Sequence, residues 1–186
     1  MKRISVILAL IFLTQIVTAS ASAQSSIVID QMMIEIWPEY DRADVLVIYR
    51  ISLDGSITLP AQISLLIPRE AGEPYNIAMQ DVDGLLYSLP YTTELQSNAL
   101  KVVFTTPSAG LQIEYYDPRL NRDGDSRQFL FSWVADYDIN NLSIAVQQPL
   151  TASNMQILPS FGSGETKADG LIYYTANIGK VNAGQK

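Results

Sequence analysis

Residues 45–53 read VLVIYRISL, and this stretch decides the fold class. Val45, Val47, Tyr49, Ile51 and Leu53 share one side of an extended chain, while Leu46, Ile48, Arg50 and Ser52 take the other, because successive side chains of a strand point to opposite faces. The second face turns polar only toward its end, as in a central strand that emerges from cover.

The same period of two recurs on both sides of this stretch. Upstream, Met32, Ile34 and Ile36 alternate with Met33, Glu35 and Trp37. Downstream, Ile63, Leu65 and Ile67 repeat the pattern, then Leu100, Val102 and Phe104, then Leu111, Ile113 and Tyr115. Phe129, Phe131 and Trp133 make an all-aromatic face opposite Gln128 and Ser132, Leu142, Ile144 and Val146 follow, and Leu171 with Tyr173 suggests a last short strand. Asp54-Gly55, Asp83-Gly84, Asp123-Gly124 and Asp169-Gly170 separate such runs, and tight hairpin turns favour this dipeptide. Prolines fall at run ends, where a missing amide donor does little harm. No segment has a capped helical period; Thr93 to Ala99 is too short and too polar. The expectation is an all-β protein, an antiparallel β-sandwich of Ig-like or prealbumin-like type.

The runs divide the chain. Residues 24–117 hold about seven strands, enough for one complete sandwich domain. Residues 118–126 belong to the most polar stretch, DPRLNRDGDS, and read as a polar hairpin or linker. Residues 127–186 supply four clear strands, which either extend the first sandwich or form a second β-rich region that is truncated. The segment IGKVNAGQK, residues 178–186, resembles the stretch leading into the last strand of bacterial Ig-like surface repeats. That resemblance implies a strand still to come and an open sheet edge where it is missing. MQDVDGLLYSLP, residues 79–90, is similar to a hairpin of prealbumin-like and carboxypeptidase-regulatory-like modules. Both resemblances imply noncatalytic extracytoplasmic β-modules.

The N-terminus explains part of the apolar excess. Lys2 and Arg3 precede an apolar run from Ile4 to Val17, and Ala21-Ser22-Ala23 has the small-x-small pattern of a signal-peptidase site, so residues 1–23 read as a signal peptide. The rival reading is an uncleaved anchor, but the run is short for a membrane span and is broken by Thr14 and Gln15. Cleavage leaves 163 residues and removes two basic side chains, which takes the net charge from −7 to −9. The expected location is secreted, periplasmic or at the cell surface, with no stable membrane span after cleavage.

Composition narrows the chemistry. The chain has 186 residues, 48% of them hydrophobic and 17% charged, with no cysteine and no histidine. Thiolate nucleophiles, disulfides, Cys- or His-ligated metals and His-dependent triads are therefore absent. An excess of 19 acidic over 12 basic residues argues against nucleic acid, whose phosphates demand a basic surface. No cofactor motif occurs.

Three groups invite a site. Trp37, Tyr40 and Tyr116 form a candidate ligand platform for aromatic stacking. Glu39, Asp41 and Asp44 beside them offer paired carboxylates of the kind a glycosidase uses, although nothing else supplies a tuned general acid, and a solvated strand connection has the same composition. Asn121, Asp123 and Asp125 suggest calcium ligands, yet an EF-hand alignment puts Arg119 and Leu130 where carboxylates are required; an Asp-Gly hairpin tip accounts for them as well. Asn141-Leu142-Ser143 matches a glycosylation sequon within a strand. The functional expectation is an exported, noncatalytic β-sandwich module for protein binding, adhesion or cell-envelope assembly, its partner another envelope or surface protein. The alternatives are a carbohydrate-binding module and, more remotely, a carboxylate-dependent glycosidase.

Overall fold

The structure is a computed structural model that describes residues 27–186; the expected signal peptide lies outside them. It is an all-β sandwich of two unequal layers. The larger is an eight-stranded sheet built from β1 (Val28–Pro38), β2 (Val45–Leu53), β4 (Asn76–Gln80), β5 (Leu86–Ser88), β8 (Gly110–Asp117), β11 (Asp138–Gln147), β12 (Glu165–Thr166) and β13 (Ile172–Val181). Its order is β12-β13-β11-β1-β2-β8-β4-β5. The smaller sheet has the order β3-β7-β6, from β3 (Ala61–Pro68), β6 (Tyr91–Leu95) and β7 (Ala99–Thr106). A separate hairpin joins β9 (Asn121–Asp123) to β10 (Ser126–Gln128).

Alternation dictates which side chains meet between the layers. Val45, Val47, Tyr49, Ile51 and Leu53 are all buried, as are Ile34 and Ile36 of β1, Ile63, Leu65 and Ile67 of β3, and Leu111, Ile113 and Tyr115 of β8. They belong to one continuous core. Within it the Tyr49 and Tyr115 hydroxyls hydrogen-bond each other at 2.9 Å, which satisfies two polar groups that would otherwise be costly to bury. Removing a fully buried side chain such as Ile113 costs roughly 2–5 kcal/mol.

Residues 127–186 build no sheet of their own. β11 lies beside β1 in parallel, with Ile34 opposite Ile144 and Ile36 opposite Val146, and β13 pairs with the far side of β11. The first sheet is thereby extended, by the one parallel pair among the described residues. Ile178 to Val181, read as the approach to a further strand, are already the end of β13. The chain then turns back, and Ala135 exchanges backbone hydrogen bonds with Gly184 and Gln185.

Three strands cannot cover an eight-stranded face, and irregular chain fills the difference. Residues 129–135 form no ladder, contrary to the strand expected there. Their alternation records burial alone: Phe129, Phe131 and Trp133 rest half-buried on the core, while Leu130 and Val134 face solvent. At the end of this strap, side chains meet β3 in place of backbone. The Tyr137 hydroxyl accepts from the Ser64 amide at 2.8 Å and the Asp136 carboxylate from the Leu66 amide at 3.2 Å, so two donors on an outer strand edge are satisfied.

Candidate functional site

The sequence-selected aromatic residues converge at one end of the outer face of the large sheet. Trp37 lies near the end of β1, Tyr40 sits in the β1–β2 connection and Tyr116 lies on β8. The Trp37 and Tyr40 rings are 4.9 Å apart, and Tyr173 of β13 meets Trp37 at 6.2 Å. Trp37 packs against buried Leu46, Ile48 and Tyr116, and its indole N–H is buried without a hydrogen-bond partner.

Tyr116 does not present an open stacking surface. Only 8% of it is exposed, because the Arg42 guanidinium lies directly over the ring, 3.0 Å from its centroid, a cation–π arrangement. Its hydroxyl donates to Asp41 Oδ2 at 2.7 Å. Burial first, then the bond to Asp41, pushes its pKa up to about 12. Tyr40, by contrast, is 52% exposed.

The neighbouring carboxylates are divided among separate tasks. Glu39, in a left-handed conformation with φ 50°, accepts from Arg127 at 2.9 Å and lies 3.7 Å from Arg122, tying the β9–β10 hairpin to the β1–β2 connection. Asp41 holds Tyr116, and Asp44 lines a small hollow with Arg42, Glu73 and Tyr75. Glu39 and Asp41 are thus each engaged by a different partner, Arg127 and Tyr116.

Asn121, Asp123 and Asp125 sit on the exposed β9–β10 hairpin, which turns at Gly124 with φ 54°. The loop carbonyls of Gly124 and Ser126 accept from Arg127, and a guanidinium in that position opposes a cation. Among the described residues no three carboxylates are grouped for a metal ion.

A feature that sequence reasoning missed lies where the two layers part. The chain leaves the large sheet at β5 and enters the small one at β6, so residues 86–95 form the terminal strand of both. Tyr87 opposes Met79, which packs against the core, and therefore faces inward. Tyr91 opposes Phe104 and Leu95 opposes Leu100, both core residues, so they face inward as well. Yet Tyr87 is 48%, Tyr91 36% and Leu95 60% exposed. The space between the layers is uncovered at this side, and Leu85 adds apolar surface beside it, whereas Leu86 lies on the outer face with Gln80. Asp81 and Asp83 at the β4–β5 turn and Glu73, which accepts from Thr93 at 2.9 Å, give the opening an acidic rim, while Glu94 of β6 faces the other way and pairs with Lys101. The signal was present as Leu85-Leu86-Tyr87 followed by Leu89-Pro90-Tyr91, since proline within an apolar strand pattern marks an edge. It was masked because the run is short and broken.

No protein-family model matches the chain, and no curated protein does. Solved structures do match, among them one described as "a putative protease" from Parabacteroides distasonis, at 11% identity and a TM-score of 0.42. The match covers 88% of this chain, which spans 37% of that one.

Proposed function

We propose that this is an exported, noncatalytic β-sandwich that binds another envelope or surface protein by receiving an extended strand at the β5–β6 edge. The observation that carries this reading is the exposure of Tyr87, Tyr91 and Leu95, side chains that face the core layer and are only partly covered there. An incoming strand gains backbone hydrogen bonds from the open edge, and its alternate apolar side chains gain burial. The acidic rim selects a segment flanked by lysine or arginine, and it disfavours a second copy of this chain, which brings the same carboxylates.

The test is binding of a ten-residue peptide of alternating valine and threonine with lysine at both ends, followed by fluorescence anisotropy. Saturable binding that falls at least tenfold in Tyr87→Lys and Leu95→Lys supports the proposal. Absence of binding, or binding indifferent to both substitutions, refutes it. Sedimentation showing a stable dimer through this edge would assign the surface to self-association instead.

A further inference from the structure

We infer that the outer face of the large sheet carries a second binding site, a polar trough for a neutral glycan. The trough has a volume of about 530 Å³, in the range of small-ligand sites. It crosses the strands from Gln80 and Leu86 on one flank to Ser143, Thr175 and Asn177 on the other. The register explains why these side chains share a face. Ser143 lies opposite Met33, Met33 opposite Arg50, and Arg50 opposite Gln112. In the next row Gln31 lies opposite Ser52 and Ser52 opposite Gly110, whose missing side chain lets Gln80 pack over it.

The charge distribution selects the ligand class. The chain carries a net charge of −7, yet no carboxylate lines the trough. Its one cation, Arg50, is already engaged: Nε donates to Glu35 at 2.7 Å and Nη1 to the Gln112 carbonyl. Gln112 in turn donates to Glu114. An anionic ligand would want an uncommitted guanidinium, and none is offered. What remains is hydrogen-bonding capacity: Gln31, Ser52, Ser143 and Thr175 make no side-chain hydrogen bond among the described residues, and the Asn177 amide group stays available while its oxygen accepts from Gly179. Carboxamides and hydroxyls both donate and accept, which matches the ring hydroxyls of a sugar, and Met33 supplies an apolar spot beneath a ring. An extended peptide would want an open edge and pockets for alternate side chains, and the trough offers neither.

The experiment is affinity electrophoresis of the full chain through gels containing laminarin, galactomannan or xylan, with alginate as the anionic comparison. Retardation by at least one neutral polysaccharide, reduced at least tenfold in affinity by Ser143→Trp or by Thr175→Trp, is the expected result. The second variant, at an exposed position, keeps the test decisive if the first fails to fold. No retardation by any neutral polysaccharide, retardation by alginate alone, or equal retardation of both folded variants overturns the inference. Both substitutions lie on the flank away from β5 and leave capture of the lysine-flanked peptide unchanged, so the two proposals fail separately. Loss of peptide binding in these variants would identify the trough as a peptide site and also overturn it.

Discussion

Tyr87 and Tyr91 stand on consecutive strands, one in each layer, and both face the space between the sheets with 48% and 36% of their surfaces in solvent. Side chains directed at a core and left wet contribute little to folding. Leu95→Lys is therefore expected to change unfolding free energy by no more than about 0.5 kcal/mol, whereas Ile113→Ala costs roughly 2–5 kcal/mol. Urea unfolding of both variants checks the contrast. A large loss in Leu95→Lys would make the edge part of the fold's own support.

Burial pushes the Asp136 carboxyl up to about 6 against the opposing pull of the Leu66 amide. The folded state then takes up a proton near pH 6 and the unfolded chain only near 3.8. Its contribution is fully present below the lower value and is lost as pH rises through the higher, by up to about 3 kcal/mol. Asp136→Asn keeps an acceptor for Leu66 and should flatten the stability profile between pH 4 and 6, measured by denaturant midpoints. An unchanged slope would mean that other groups set it.

Glu35 is 7% exposed and relies on Arg50. Arg50→Met leaves that carboxylate unpaired in the sheet face and is expected to cost about 1–3 kcal/mol, less than for a fully buried pair because Arg50 is partly solvated. Adding Glu35→Gln should recover part of the loss, and a double-mutant cycle reads the coupling.

The Tyr49–Tyr115 hydroxyl pair behaves in the same way in a neutral setting. Tyr49→Phe strands the Tyr115 hydroxyl in the core at about 1–3 kcal/mol. The double phenylalanine variant should cost less than the two single changes together, which thermal unfolding of the three variants measures.

Much of this fold was legible in the sequence because burial on one face imposes a period of two. Val45 to Leu53, Ile63 to Ile67 and Leu111 to Tyr115 lie inward as that period requires. Periodicity does not say what a strand pairs with. Phe129 to Trp133 alternate as a strand does but only rest on the core, and nothing local announces that β11 joins β1 in parallel. The aromatic cluster was legible as residue types, and Trp37 and Tyr40 do meet. That Arg42 covers Tyr116 follows from a loop fold-back with no pattern of its own. The β5–β6 edge escaped because exposure is a property of missing neighbours.

Residues 86–95 are proposed to accept an extended segment. Amide hydrogen exchange with and without the lysine-flanked valine–threonine peptide tests it most directly. Slower exchange concentrated in β5 and β6 is expected, absent in Leu95→Lys and weakened at high salt as the acidic rim is screened. Unaltered exchange in residues 86–95 at saturating peptide, or protection confined to another part of the molecule, would contradict it.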